Sequence, residues 1–144
     1  MAKPKIFFAN DHGAHELKNI LLPFVKELGY EVEDLGCDGS ESVNYPDYAD
    51  KMADKILSTE NSLGILMCGT GIGISIAANR HKGIRAGLCI NEYMAEMTRK
   101  HNNANVLVMG GRVVGQDLAK NITKTFLENN FEGGRHQTRI DMLD

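Results

Sequence analysis

Five short apolar runs alternate with longer segments of helical periodicity along this chain of 144 residues. Strands that are each followed by a helix pair in parallel, because the helical crossover returns the chain to the same edge of the sheet. Residues 5–9 and 63–68 are apolar at nearly every position, which is typical of central strands buried on both faces. The other three runs are 31–35, 84–90 and 105–109. The alternation predicts an α/β fold, a three-layer doubly wound sandwich of the Rossmann or flavodoxin type with a five-stranded parallel sheet.

The segments between the runs carry the signals of amphipathic helices. Residues 15–28 place their leucines and other apolar side chains on one helical stripe, and Pro23 inside this segment predicts a kink or a late first turn. Pro46 suits the first turn of a second helix that runs to about residue 57. Further helices are predicted over 71–82, 92–101 and 115–129. We expect one domain over residues 1–144, with a helical C-terminal segment at 131–144.

The composition is that of an ordinary globular protein and excludes several classes of function. A net charge of −3 gives no general attraction to nucleic acid or to acidic membranes. No apolar run approaches the roughly 20 residues that a membrane-spanning helix needs, and the first residues do not resemble a signal peptide. The three cysteines are an odd number without CxxC spacing, so free thiols are expected. Together these features predict a cytoplasmic protein without a metal framework.

A parallel sheet binds its ligands beyond the carboxyl ends of its strands. In this chain that rule brings together residues 10–12, residues 68–73, Asn91 and residues 110–112. The richest of these segments is the loop at 68–73, where Cys68 is followed by Gly69, Gly71 and Gly73. The loop lacks the Gly-Lys-Ser/Thr of a P-loop and the glycine spacing of a dinucleotide site. It also lacks the arginine of a cysteine phosphatase.

Two interpretations of Cys68 remain open from the residues alone. In one, the thiol is a base or nucleophile beside a backbone cradle for an oxyanion, which the start of a helix would strengthen. In the other, Cys68 is a buried residue that ends a core strand, and the glycines serve only a tight turn. We favour the first interpretation.

Two histidine segments also have a structural and a chemical interpretation. Asp11 and His12 follow the first strand, where they could orient a sugar hydroxyl, or Asp11 could cap the helix that begins at residue 15. His101 and Asn102 end a predicted helix, where they could contact substrate or form a C-cap. Considered separately, the capping role is favoured for both segments.

Three arginines and one tyrosine complete the set of candidate residues. Arg135 and Arg139 lie four positions apart, so a helix would direct both guanidinium groups to one side as a fork for phosphate. The alternative is a solvated basic tail. Arg112 follows the last strand and is well placed to join such a site. Tyr45, next to Pro46, is either a hydroxyl contact or a turn aromatic.

Seven motifs occur in a characteristic order, at residues 10–13, 45–49, 68–79, 83–86, 101–107, 111–115 and 132–136. In that order they resemble the ribose-5-phosphate isomerase B family, which is related to the subunits of galactose-6-phosphate isomerase. The resemblance spans nearly the whole chain. It implies an aldose–ketose isomerase that acts on a phosphosugar without a metal or other cofactor.

The resemblance also implies a role for each candidate residue. Cys68 matches the base that moves a proton between C1 and C2, and the backbone of Gly69, Thr70, Gly71, Ile72 and Gly73 matches the cradle for the enediolate. Side chains that match groups handling the sugar hydroxyls and ring opening are Asp11, Thr70 and His101, and Asn102 matches a further substrate contact. Residues that match the phosphate site are His12, Arg112, Arg135 and Arg139.

In the family the histidine–asparagine segment comes from a neighbouring subunit, which implies a homodimer or a tetramer with shared active sites. Ribose 5-phosphate and ribulose 5-phosphate are the expected substrate pair. One alternative is a six-carbon substrate such as galactose 6-phosphate or allose 6-phosphate. Others are a non-catalytic sensor of phosphosugars and a thiol redox protein.

Overall fold

A computed structural model describes residues 2–144 and contains one five-stranded sheet in which every neighbouring pair of strands is parallel. The strands are β1 (Lys5–Asn10), β2 (Val32–Asp34), β3 (Ser62–Cys68), β4 (Ala86–Leu88) and β5 (Val106–Gly110). Their order across the sheet is β2-β1-β3-β5-β4. The chain reverses its direction of winding between β1 and β3, as a doubly wound fold does. The predicted fold class is confirmed.

Residues 2–144 contain six α-helices, five of which pack against the two faces of the sheet. They are α1 (His15–Glu27), α2 (Tyr45–Ser58), α3 (Ile72–Ala78), α4 (Glu92–Lys100), α5 (Gln116–Glu128) and α6 (Arg135–Ile140). Side chains of α1, α4 and α5 share one apolar core with the sheet, and side chains of α2 and α3 share the other. None of these helices has the length and apolar character that crossing a bilayer requires.

The central strands supply both cores because successive side chains point to opposite faces. In β1, Ile6 and Phe8 enter the core under α1 and α5, whereas Phe7 enters the core under α2. In β3, Met67 and Cys68 divide between the two faces in the same way. The expectation that residues 5–9 and 63–68 form doubly buried strands is therefore confirmed.

The edge strand β4 is shorter than the sequence predicted. Strand β4 covers three residues instead of 84–90, because it has only β5 as a neighbour. The amide of Asn79 accepts a hydrogen bond from Ala86 N at 2.8 Å and donates one to Ala86 O at 3.0 Å. This side chain takes the place of a further strand, and α3 ends at Ala78 instead of residue 82. Elsewhere α1 continues through Pro23, which lies on its exposed side.

Lys18 is a buried residue of α1 that the hydrophobic periodicity does not place in the interior. Its ammonium group donates to Asp34 Oδ2 at 2.9 Å and to the carbonyl of Cys37 at 2.7 Å. These bonds connect α1 to the end of β2 and to the loop that follows it. A buried lysine is tolerated because each of its contacts supplies an acceptor.

We predict that Lys18→Met destabilises the fold by about 3 kcal/mol, the lower end of the range for breaking a buried ion pair, because Asp34 is one-third exposed. Urea unfolding at a fixed protein concentration measures the change. Lys26→Met is the matched control, since Lys26 lies on the exposed side of the same helix. A loss below 1 kcal/mol for Lys18→Met would contradict a structural role for this ammonium group.

Candidate active site

The carboxyl ends of β1, β3 and β5 converge around Cys68. Gly111 N donates to Cys68 O at 2.8 Å, and Arg112 N donates to Gly69 O at 2.9 Å. On the other side, Asp11 N donates to Met67 O at 3.1 Å. The segments that follow the three central strands are thus joined by their backbones. Residues 10–12, 68–73 and 110–112 lie together at the carboxyl-terminal end of the sheet, which we call the thiol edge.

The sulfur of Cys68 lies beneath its own glycine loop. Gly71 N donates to Cys68 Sγ at 3.1 Å, an interaction that offers a thiolate a charge-assisted hydrogen bond. Cys89 is different, because burial raises the pKa of its thiol to about 12. Of these two buried thiols, Cys68 is the one that accepts a hydrogen bond from a backbone N–H and that ends a central strand, whereas Cys89 follows the edge strand β4.

Two glycines allow the loops to approach backbone to backbone. Gly71 has a φ of +83°, in the left-handed region, and a Cβ there would lie 3.0 Å from the carbonyl carbon of Met109. At Gly13 a Cβ would lie 2.9 Å from Gly69 N. Any larger residue at either position would push apart the segments that surround Cys68.

The loop offers fewer free backbone N–H donors than the sequence predicted. The N–H of Gly71 is taken by the sulfur, and the N–H of Ile72 donates to Thr70 Oγ1 at 3.1 Å. Within residues 2–144 the N–H groups of Gly69, Thr70 and Gly73 make no hydrogen bond, so these three remain for an oxyanion. The helix predicted over 71–82 is only Ile72–Ala78, so the loop itself, more than a long helix dipole, supplies the donors.

Asp11 and Thr70 present oxygen atoms on either side of this loop. Asp11 Oδ1 accepts from Gly13 N at 2.9 Å and caps a short 3₁₀ turn, His12–Ala14. The alternative in which Asp11 caps α1 is wrong, because Ala14 occupies that position. Since Thr70 Oγ1 accepts a bond from Ile72 N, its hydroxyl proton stays available for donation.

His12 and Tyr45 come from loops and helices beside the cradle. Val43 N donates to His12 Nδ1 at 3.2 Å, so the proton of the neutral ring resides on Nε2 and can be donated to an anion. The ring of Tyr45 lies against Gly73, where an added Cβ would be 2.8 Å from Tyr45 Cζ. Tyr45 is therefore both a packing residue and an exposed hydroxyl at the start of α2.

Arg112 and Asn91 occupy the same edge for different reasons. The guanidinium of Arg112 folds back over the loop, with Nη1 3.1 Å from the position that a Gly69 Cβ would take. It places a positive charge above the cradle. Asn91 Oδ1 instead accepts from Met94 N at 2.9 Å as the N-cap of α4, which is a structural use of its side chain.

The remaining candidates lie at the opposite end of the sheet, where its strands begin; we call this end the amino edge. Helix α4 begins beyond the carboxyl end of β4 and ends where β5 begins, so its C-cap His101 is separated from Cys68 by the length of a strand. For the five residues of β5 this length is about 15 Å. One chain therefore does not bring Cys68 together with His101, Asn102, Arg135 or Arg139.

His101 has two neighbours that the sequence did not identify as functional. Its ring stacks on that of His136, with centroids 4.2 Å apart and planes 13° from parallel. Glu132 Oε1 lies 3.6 Å from Nε2 of both rings. The signal that could have found them was the motif at 132–136, which carries both side chains beside Arg135.

These three side chains offer ligand atoms within 4.8 Å of one another, as a metal site would. Their orientation does not suit one ion, because the lone pair of each imidazole lies in its ring plane and the two planes are nearly parallel. Burial lowers the pKa of His136, and the nearby positive groups His101 and Arg135 lower it further, against the opposing effect of Glu132. The arrangement suits one carboxylate shared by two imidazoles.

Comparison with known proteins agrees with this geometry. The family model described as Ribose/Galactose Isomerase matches residues 6–143. A putative sugar phosphate isomerase of Bacillus subtilis is 51% identical over 140 residues, covering 96% of this chain and 94% of that protein. Ribose-5-phosphate isomerase B of Escherichia coli is 47% identical over 139 residues, covering 96% and 93%.

Solved structures give the same result. A ribose 5-phosphate isomerase from Thermotoga maritima superposes with a TM-score of 0.96 at 52% identity and covers 99% of both chains. Ribose-5-phosphate isomerase B from Clostridium thermocellum gives a TM-score of 0.94 at 52% identity, covering 96% of this chain and 94% of that one. The chain belongs to the Ribose/Galactose Isomerase family and is an isomerase.

Proposed function

We propose that this protein interconverts ribose 5-phosphate and ribulose 5-phosphate through a cis-enediolate, with Cys68 as the base. The observation that carries the proposal is the thiol of Cys68 beneath a glycine loop that retains three free N–H donors. Relatives that share about half of the sequence and nearly the whole length are ribose-5-phosphate isomerases by name.

The chemistry follows from what these groups can do. In the opened aldose, the thiolate takes the proton from C2, the C2–H electron pair forms the C1=C2 bond, and the carbonyl pair moves onto O1. The free N–H groups of Gly69, Thr70 and Gly73 stabilise the charge on the enediolate oxygens. A proton then moves from O2 to O1, with Thr70 and Asp11 beside the loop to relay it. The thiol returns its proton to C1 and leaves a ketone at C2.

Phosphate supplies binding energy away from the reacting carbons. His12 donates from Nε2 at the thiol edge, and Arg112 adds a positive charge there. Arg135 and Arg139 lie one turn apart on α6, which suits a bidentate grip on a dianion. Because α6 lies at the other edge of its own chain, we assign these two arginines to the site of a partner subunit.

By the same argument the enzyme is a homodimer or a tetramer in which the subunits share their active sites. Ring opening needs a group that exchanges a proton with the anomeric hydroxyl, and the candidates are Asp11 in one chain and His101 from the partner. An exposed apolar surface supports an interface near the loop, since Ile72 and Ile76 on one face of α3 are 55% and 53% exposed. Adjacent exposed apolar side chains of this kind are typical of protein–protein contacts.

Replacing the base gives the first test. We expect Cys68→Ala to lower kcat by at least about 10³-fold while phosphosugar binding persists, because the proton at C2 loses its acceptor. Ketose formation from five- and six-carbon phosphosugars measures turnover, and calorimetry measures binding. Cys89→Ala is the control, since that buried thiol lies at the end of β4. Substantial turnover by Cys68→Ala would remove the proposed base, and loss of wild-type activity with a chelator would contradict chemistry without a metal.

Subunit complementation tests the shared site. Cys68→Ala and His101→Ala should each be inactive alone, because each removes one half of every site. When the two are unfolded together and refolded as an equal mixture, the heterodimers contain one intact site, so activity should recover to about one quarter of wild type. If mass spectrometry shows exchanged subunits and activity does not recover, both residues act within one chain and the shared site is wrong.

A further inference from the structure

The end of α4 is tied by its backbone to the segment that precedes α6. Glu132 N donates to the carbonyl of Lys100 at 3.0 Å, one residue before His101. The carboxylate of Glu132 is thereby held beside the imidazole of His101 without relying on a mobile side chain alone. Lys100 itself pairs with Glu96 on the outer face of the helix, so it does not compete for this carboxylate.

Two consecutive glycines then bring His136 onto His101. Gly133 and Gly134 have φ values of +73° and +60°, a conformation that side chains disfavour, and α6 begins directly after them. The turn lays the ring of His136 flat against that of His101. His136 is only 6% exposed, and its Nε2 is buried without a hydrogen-bond partner while it faces Glu132 Oε1.

The two stacked imidazoles differ in their burial and in the charges around them. Within residues 2–144, Glu132 is the acidic group that raises the pKa of His136, whereas His101, Arg135 and Arg139 lower it. Two adjacent imidazolium ions would repel each other, and desolvation disfavours the charge on His136. Burial and the stacked ring of His101 therefore favour the neutral form of His136. The ring of His101 is 38% exposed and is the one that can exchange protons with a ligand.

We propose that Glu132 and His136 are positioning residues for His101, fixing its ring plane by stacking and its tautomer by the carboxylate at Nε2. A carboxylate at Nε2 favours the proton on that nitrogen, which leaves Nδ1 to take the proton of the anomeric hydroxyl. The O–H electron pair forms C1=O1, the C1–O4 bond breaks, and Nδ1 passes the same proton on to O4. The inference rests on the proposed function, in particular on His101 as the group that opens the sugar ring. It also links this group to the arginines, because α6 carries both His136 and the phosphate fork.

Glu132→Gln tests the carboxylate, and Glu96→Gln on α4 is the matched control because it removes an equal charge from a pair on the helix surface. With ribose 5-phosphate as substrate, we expect Glu132→Gln to lower kcat by about 10–100-fold with KM within twofold. Glu96→Gln should keep both kcat and KM. An unchanged kcat for Glu132→Gln would overturn the proposal.

Ribulose 5-phosphate separates ring opening from proton transfer. This ketose cannot form a furanose ring, because its C5 oxygen carries the phosphate, so exchange of its C1 hydrogen in D2O needs only the base. NMR should show exchange within twofold of wild type for Glu132→Gln and for His136→Phe, which keeps an aromatic ring but no nitrogen. Exchange that falls in parallel with ribose 5-phosphate turnover would overturn a role in ring opening. Exchange in Cys68→Ala tests the base alone: if this variant still exchanges the C1 hydrogen, the proposed function fails, whatever Glu132 and His136 do.

Nitrogen NMR of the histidines reads the tautomer directly. We expect His101 to be protonated at Nε2 in the wild-type enzyme and to become a mixture of tautomers in Glu132→Gln, with the fold retained by circular dichroism. The same tautomer in both proteins would overturn the assignment of Glu132. Stoichiometric Zn²⁺ binding that perturbs both histidine rings would instead assign the three side chains to a metal and overturn the positioning role.

Discussion

Hydrogen bonds between the loops that follow β3 and β5 hold the thiol edge together. Cys68 and Gly69 each accept a backbone bond from the segment Gly111–Arg112, and Gly13 packs against Gly69 from the other side. Because the three segments touch through their backbones, the sheet places the backbone of Cys68 and the N–H groups around it, and the bond from Gly71 N holds the sulfur. The glycines are required for this closeness, and the reactive geometry depends on it.

The path of the helices explains why one chain does not contain all the residues of the proposed site. A crossover helix must run antiparallel to its strands, so whatever caps its C-terminus lies at the amino edge of the sheet. That is the position of His101, and α6 joins it there. A site that needs both edges is built most simply by a second copy of the chain, which turns the amino edge of one subunit toward the carboxyl edge of the other.

At the thiol edge, backbone N–H groups occupy the acceptor atoms of two side chains and so determine which atoms of these side chains can donate. Val43 occupies Nδ1 of His12 and so leaves Nε2 to donate. Ile72 occupies Thr70 Oγ1 and leaves the hydroxyl proton free. In each pair the side chain could either accept or donate a hydrogen bond, and the backbone donor takes its accepting role. The proposed effect of Glu132 on His101 follows the same logic, with a carboxylate in place of the backbone.

The sequence by itself determined the parallel sheet, its doubly buried strands and the group of residues at the thiol edge, because hydrophobic periodicity and strand ends are local properties. It did not determine which N–H groups of the loop stay free, since those of Gly71 and Ile72 are used by partners that the periodic pattern does not specify. It also missed the buried Lys18 and the stack of His136 on His101. These depend on contacts between segments distant along the chain, and only the tertiary structure decides which side chain meets which acceptor there.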